Sequence, residues 1–406
     1  MGKRFIISII FSLFYTNFVE AKRHEIASDS TINEVKEVDA IDIFRGVFLK
    51  NKGIRQTNTQ ILTKQSSFAI LPSFNYSIAT KFAAGANTVQ TFKLSNDSMT
   101  KESNIRTLST YSQLKQFSSI VSTNIWTNQN KVNFLGDYRF YKFPSITYGL
   151  GGNTSFDDAN LVDYLHIRFF QVALRKVSKF FDAGIGYHLD YHWKIEEDND
   201  DKVIITDLQK YGFTTKSISS GLSFNLQHDS RTSSSTPLGG SYMYIRYRNN
   251  SKFLGSDQNW QSLLFDLRKY VRLPRESNNI LAFWSYNWFT FGGNAPYFDL
   301  PSIGWDTYYN TGRGYPIGRF RGKNLVYFET EYRFGITRNG LLGGVIFGNA
   351  QSITNYPNGG FSKIIPAGGG GLRVKLNKLN NTTLAFDYGF GISGSKGFVF
   401  NINEVF

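Results

Sequence analysis

The stretch Phe398-Val-Phe-Asn-Ile-Asn-Glu-Val-Phe406 alternates apolar and polar side chains and stops on an aromatic ring. Successive side chains of an extended chain point to opposite faces, so Phe398, Phe400 and Ile402 share one apolar face. Phe406 falls on the same face by its parity. A strand that is oily on one side and wet on the other is typical of a membrane barrel. We therefore predict that these residues form the closing strand of an outer-membrane β-barrel.

The same alternation recurs in the interior of the chain from about residue 67 onward. Ile218 to Leu226 carries Leu222 and Phe224 on one face and small polar residues on the other. Asn324 to Phe334 repeats the pattern, with three charged side chains on the face that we assign to the lumen: Glu329, Glu331 and Arg333. Because no apolar run after residue 21 is long enough for a membrane helix, the pattern predicts an all-β, antiparallel transmembrane barrel.

The strand number follows less directly than the pattern. The chain after residue 66 holds about 14 to 18 strands at roughly ten residues per crossing, and single-chain barrels favour even numbers, so we predict about sixteen. Residues 145–153 and 202–211 are among the candidate strands. The turn-rich stretch from Gly292 to Gly322 cannot be a crossing, and we predict that it is a long extracellular loop.

The N-terminus predicts export. Lys3 and Arg4 precede an apolar run, and Val19-Glu20-Ala21 suits a signal peptidase, so residues 1–21 are predicted to be a signal peptide. An uncleaved anchor helix is the alternative, although the apolar run is shorter than the ~20 residues that a span needs. The chain has no cysteine, which excludes a lipid-anchored N-terminus and disulfides.

Residues 22–66 form a separate region before the barrel, which we assign to residues 67–406. The region is polar, and its one short amphipathic piece, Ile41 to Leu49, is too small to bury a core. It is either a periplasmic tail or strap against the barrel, or a disordered linker.

The composition excludes several classes of function. The chain carries 45 basic and 31 acidic side chains, a net charge of +14, but the basic residues are scattered and form no nucleic-acid motif. Outer-membrane lipid and lipopolysaccharide are therefore the expected partners of this charge, and nucleic acid is not. No hydrolase, metalloprotease or phosphate-loop motif is present, so we predict no enzyme and no cofactor.

One row of polar side chains has residue types that can ligate a metal. His188, Asp190 and His192 share one face of a predicted strand, about 7 Å apart from one to the next. That spacing is wide for three ligands from one strand, so a polar lumen face is the better interpretation.

Four segments together resemble the barrel of the BamA/TamA superfamily, the bacterial surface-antigen type of assembly and translocation proteins. Gln227-His-Asp-Ser-Arg231 with Pro237-Leu-Gly-Gly240 is similar to the family's D-x-R segment, and Gly312-Arg-Gly-Tyr315 to the tip of its long sixth loop. Glu331-Tyr-Arg-Phe334 resembles the strand that follows. The closing stretch from Phe398 to Phe406 looks like the terminal strand that assembly machinery reads as a signal, and we predict that Phe406 is needed for membrane insertion.

The resemblance implies a contact inside the barrel. The long extracellular loop is expected to fold inward into the barrel, where Arg313 at its tip needs an acidic partner in the confined lumen. The family supplies one from its E-Y-R strand, here Glu331, and a second from an F-x-D-x-G strand. The matching segment here is Phe347-Gly-Asn-Ala-Gln351, so the second acid is expected to be replaced by Asn349, whose amide can still accept a hydrogen bond.

The resemblance also implies a function. Relatives that insert outer-membrane proteins carry periplasmic POTRA domains, and residues 22–66 are too short for one. The expected function is outer-membrane protein or surface-component assembly or translocation without POTRA domains of its own, with other envelope subunits as possible donors of periplasmic domains. A passive porin-like channel and a structural subunit of an envelope complex are the alternatives.

Overall fold

The structure is a computed structural model of the whole chain. It describes residues 37–40, 42–43, 66–77, 81–97, 99–142, 145–197, 205–234, 236–357, 359–378 and 382–406. The predicted signal peptide and most of the region between residues 22 and 66 lie outside the described residues.

The described residues form one antiparallel sheet. Its strands are β1 (Ser66–Ser77), β2 (Lys81–Phe92), β3 (Ser103–Ser112), β4 (Phe117–Trp126), β5 (Val132–Lys142), β6 (Ser145–Thr147), β7 (Asn160–Lys176), β8 (Phe181–Glu197), β9 (Lys216–Asp229), β10 (Gly240–Asn250), β11 (Trp260–Arg272), β12 (Ile280–Phe291), β13 (Asn324–Gly335), β14 (Leu342–Ile353), β15 (Ile365–Asn377), β16 (Thr382–Gly391) and β17 (Lys396–Ile402).

The strands follow one another as a meander. Each strand pairs with its neighbours in the chain, except that β5 and β6 both pair with the same edge of β7. The three residues of β6 thus continue β5 along β7, and the seventeen strands occupy sixteen positions in the ladder. The predicted all-β barrel architecture is confirmed, and β1 and β17 are the two ends of the ladder.

The two faces of the sheet have opposite chemistry. Leu222 and Phe224 of β9 are 53% and 67% exposed, whereas Ser223 and Asn225 are buried. On β13, Phe328 is exposed while Glu329 and Glu331 are buried. The apolar residues therefore point away from the enclosed side of the sheet, as the alternation predicts for a lipid face.

Three local predictions are corrected. The candidate strand 202–211 is wrong in its described part, since helix α1 spans Asp207–Gly212. Its start is capped by Thr206, whose side chain accepts a hydrogen bond from the Gln209 backbone, and this local cap favours a helix. Candidate 145–153 reduces to β6.

The third correction concerns the end of the chain. The last strand stops at Ile402, and residue Asn403 takes a left-handed φ of +72°. The following residues leave the sheet, and Val405 and Phe406 are buried. Alternation predicted a strand up to Phe406. The chain turns inward after Ile402, so the alternating residues that follow no longer point to the two faces of a strand.

A short piece of the region before the barrel contacts two turns of the sheet. The Val38 backbone donates to the Asn339 carbonyl at 3.1 Å, and the Lys378 ammonium donates to Asp42 at 2.6 Å. These contacts attach the described residues 37–40 and 42–43 to the sheet. The pKa of Lys378 is raised, first by the hydrogen bond to Asp42. Among the described residues, no helix has the length and apolar character to cross a membrane.

Candidate functional site

The loop between β12 and β13 folds into the space enclosed by the sheet. It includes a 3-10 turn at Tyr297–Asp299, and its two limbs meet at a bridge between Ser302 and Arg321. Most of its residues from Ala295 to Arg321 are buried, which is unusual for a loop of this length. Burial of so many backbone groups requires internal partners.

One carboxylate organises the turn that precedes the loop tip. Asp306 accepts hydrogen bonds from the backbone N–H groups of Asn310 and Thr311 at 2.9 and 2.8 Å, and from the Thr311 hydroxyl at 2.8 Å. Gly312 and Gly314 follow with φ values of +82° and +102°, which glycine adopts without steric cost. The backbone therefore turns sharply on both sides of Arg313.

Three carboxylates surround the Arg313 guanidinium. Its Nη1 donates to Asp387 of β16 at 2.7 Å, and its Nη2 donates to Glu331 of β13 at 2.6 Å and also to Glu329. The guanidinium carbon lies 3.8 Å from the centre of the Phe347 ring. Arg313 is only 2% exposed, so this contact is a buried ion cluster rather than a surface pair. We call Arg313 and these three carboxylates the Arg313 cluster.

A second layer of charges supports the Arg313 cluster. Arg333 donates to Glu331 at 2.5 Å, and Arg373 donates to Asp387 at 2.5 Å and to Glu404 at 2.8 Å. The Tyr327 hydroxyl donates to Glu329. Each carboxylate therefore has at least one further donor besides Arg313, which is the condition under which buried charges are tolerated.

The cluster holds the loop arginine in its charged form. Burial by itself would lower the pKa of the Arg313 guanidinium, but the surrounding carboxylates, Glu329 first, hold that pKa well above its ordinary value. Arg313 therefore stays charged, and the ion cluster persists at every pH at which its carboxylates are ionised.

The loop tip lies directly against β16. A Cβ on Gly389 would come within 2.7 Å of the Gly314 nitrogen and 2.9 Å of the Gly314 Cα. The Tyr315 hydroxyl donates to the Pro366 carbonyl at 2.5 Å and accepts from the Ile392 backbone at 3.0 Å. The absent side chain at Gly389 is therefore what lets the tip approach the wall.

We expect Gly389→Ala to displace the loop tip, because the added methyl group meets backbone atoms that cannot rotate away. The cost should be about 1–3 kcal/mol, as for overpacking in a core. Denaturant unfolding of the detergent-solubilised barrel measures it. Gly397→Ala on β17 is the matched control, since a Cβ there has no neighbour within 4 Å. Equal stability of the two variants would contradict the close approach.

The structure brings the predicted site residues together but changes the role of Asn349. Arg313 and Glu331 are in contact, as the resemblance implies. Asn349 does not replace the second acid, because its amide nitrogen donates to the Arg313 backbone carbonyl at 2.9 Å. The expectation that one acidic contact is lost is wrong. Asp387 in Phe386-Asp-Tyr-Gly389 supplies it, and Glu329 adds a third.

The polar row on β8 faces the enclosed space. His188, Asp190 and His192 are at most 1% exposed, and Asp190 accepts hydrogen bonds from Arg168 and Arg248 at 2.8 Å each. No group of three or more potential metal-ligating side chains has a suitable arrangement anywhere in the described part of the chain. The row is thus engaged in an arginine-rich polar network.

The predicted terminal signal residues divide into two groups. Phe398 and Phe400 are 70% and 56% exposed on β17, and Ile402 ends that strand. Phe406 instead lies inside, with its ring centre 5.0 Å from that of Trp284. Arg333 donates to the Phe406 backbone oxygen at 2.8 Å, and Asn310 of the long loop donates to the Val405 carbonyl at 2.7 Å. The tail and the loop are therefore in direct contact.

The architecture is similar to that of a number of solved structures, two of which are BamA and CdiB. BamA from Haemophilus ducreyi lacking POTRA domains 1–3 matches with a TM-score of 0.55 at 14% identity, over 83% of this chain and 69% of that chain. CdiB from Acinetobacter baumannii matches with a TM-score of 0.50 at 12% identity, over 84% of this chain and 60% of that one.

No family model matches the sequence, and no curated protein matches it. The structural likeness at such low identity shows the fold alone. The chain thus has a barrel fold of the kind seen in BamA and CdiB.

Proposed function

We propose that this protein is an outer-membrane barrel of the BamA/TamA type that helps to insert, translocate or assemble outer-membrane or surface components. The observation that carries the proposal is the Arg313 cluster, because a barrel that serves only for passive diffusion has no need to bury a loop arginine among three carboxylates. The proposal involves no enzymatic step and no cofactor.

The ends of the ladder suggest how a client strand would engage. β17 pairs with β16 over seven residues and then gives way to the inward-turning tail, while β1 is twelve residues long. A strand at the edge of a sheet has unpaired N–H and C=O groups, with which another strand can pair. We infer that a weak seam between β1 and β17 accepts strands of a client by edge pairing.

The surroundings of the barrel belong to the same proposal. Lipid and lipopolysaccharide would contact the apolar outer face and the basic surface, and another envelope subunit would supply periplasmic domains. The sequence pattern of the N-terminus and the fold support localisation in the bacterial outer membrane.

Assembly activity can be measured directly. Vesicles containing the purified chain should fold a small, urea-unfolded outer-membrane barrel protein faster than vesicles containing a porin at the same protein-to-lipid ratio. Heat-modifiable migration of the client reports its folding. Equal rates in the two vesicles would contradict autonomous assembly and favour the structural-subunit alternative.

The porin-like alternative makes a different prediction. A barrel of sixteen strands is wide enough for an aqueous channel, but here the long loop lies within that space. We expect low conductance of the intact protein in planar bilayers, and large steady openings when residues 296–320 are replaced by a short Gly/Ser linker. Large openings of the intact protein would favour the channel alternative.

A further inference from the structure

The long loop has a second lumenal contact, at Asp299, fourteen residues before Arg313. Asp299, at the end of the 3-10 turn, is 4% exposed and accepts a hydrogen bond from the Ser219 hydroxyl of β9 at 2.6 Å. Its other carboxyl oxygen lies 3.9 Å from Nδ1 of His192 on β8, too far for a hydrogen bond. We call this the Asp299 contact.

Aromatic rings and an arginine hold the turn that carries Asp299. The Phe298 ring lies 4.6 Å from Tyr164 and 5.6 Å from the His192 imidazole, measured between ring centres. Arg321 donates to the carbonyls of Tyr297 and Phe298 at 3.1 and 3.2 Å. The turn is thus built to place the Asp299 carboxyl at one spot on the β8–β9 wall.

No cation pairs with Asp299 by a hydrogen bond in the described structure, although three arginines are near. Arg168 and Arg248 both donate to Asp190, and Arg321 is engaged with backbone carbonyls. The charged and titratable groups that face Asp299 are Arg168 and His166 on β7, Asp190 and His192 on β8, Arg248 on β10 and Arg321 of the loop itself.

A buried carboxylate without a bonded cation is costly in its charged form, and protonation removes the cost. Burial first, and then the neighbouring Asp190, raise the pKa of Asp299 to about 7. In a loop exposed to water the same side chain has a pKa of about 3.9. The seated loop therefore binds a proton that the released loop does not hold at neutral pH.

We propose that the Asp299 contact is a proton-dependent latch: residues 295–300 seat against β8 and β9 with Asp299 protonated, and loss of that proton releases them. The Arg313 cluster keeps the rest of the loop in place. Pro301 and Ile303 are bonded through their backbones to Gly318, Phe320 and Gly322, so only residues 295–300 are released. This inference goes beyond the proposed function and does not depend on it.

The sign of the pH dependence follows from linkage. The seated state is favoured below the pKa of the released aspartate and loses stability as pH rises toward the pKa of the seated one. The ratio of released to seated loop should rise by up to about tenfold per pH unit between about pH 4 and pH 7 and stay constant above that range.

The chain lacks cysteine, so a single spin label can report on the loop. Asn294, which is exposed and precedes the turn, is replaced by Cys and labelled in the full-length, detergent-solubilised protein. Electron paramagnetic resonance should show a mobile component that grows from about pH 4 to pH 7. The same label in an Asp299→Asn background should stay immobile throughout, because the neutral amide cannot ionise.

Further variants separate the latch from other titrations. A label at Ile317, on the Arg313 side of the loop, should show no pH-dependent change, and His192→Gln should keep the pH dependence of the Asn294 label. A flat pH profile of the wild-type loop, a rise that persists in Asp299→Asn, or an Asp299→Asn loop that is mobile at every pH would overturn the proposal. Heat-modifiable migration checks that each variant is folded.

Discussion

Arg313→Ala should destabilise the folded barrel by about 3–5 kcal/mol, the usual cost of removing one partner from a buried ion cluster. The substitution leaves three buried carboxylates with fewer donors. Glu331 and Asp387 keep Arg333 and Arg373, but among the described residues Glu329 keeps only the Tyr327 hydroxyl. Denaturant unfolding of the detergent-solubilised protein, followed by heat-modifiable migration, measures the loss.

Two companion variants test the mechanism of this loss. Arg338→Ala removes the same side chain from an exposed turn and should change stability by no more than about 0.5 kcal/mol. Arg313→Lys keeps the charge but has one ammonium in place of a planar fork, so it should recover only part of the loss. If Arg313→Ala and the wild type unfold at the same midpoint concentration of denaturant, the Arg313 cluster does not stabilise the folded barrel.

The fold was predictable because its cause is a short-range pattern. Side chains that alternate between lipid and lumen repeat every two residues, so Leu222 and Phe224 can be assigned to the outer face from the sequence alone. The two-residue period does not show where a strand is interrupted. The helix cap at Thr206, for example, is a local hydrogen bond that leaves no mark in the alternation.

The candidate site was predictable in part. The loop tip and Glu331 were found because both belong to recognisable segments. Asp387 was not predicted, although it lies two residues before Gly389, because Ala385 stands where the F-x-D-x-G pattern has its phenylalanine. Glu329 was recognised as an inward charge by its parity, but periodicity does not reveal which inward charges a folded loop will reach.

The tail could not be predicted from alternation, because its burial depends on tertiary contacts. Glu404 accepts a hydrogen bond from Arg373, and the Val405 carbonyl accepts one from Asn310 of the long loop. Neither partner is near the tail in sequence. An aromatic residue in a period-two pattern fits a lipid face and a lumenal aromatic cluster equally well, and only the structure distinguishes them.

Phe406→Ala should lower the stability of the folded barrel by about 3–5 kcal/mol, the range for truncating a buried phenylalanine. The ring is 3% exposed and packs near Trp284 and Tyr270. The role as an insertion signal predicts something else, namely less barrel in the membrane without a change in the stability of the inserted fraction.

Two measurements on the same variant therefore separate the two roles of Phe406. The amount of heat-modifiable barrel in the outer membrane reports insertion, and thermal unfolding of the purified barrel reports packing. Phe400→Ala is the matched control, since that ring is 56% exposed on the outer face of β17 and its loss should leave thermal unfolding nearly unchanged. Wild-type thermal unfolding of Phe406→Ala with reduced insertion would refute the packing role. In the folded barrel, Arg333 and Asn310 hold the tail in the lumen, away from the sheet edge that a recognition partner would contact. A signal role therefore requires that the tail is recognised before the barrel folds, and undiminished insertion after deletion of Phe406 would refute that role.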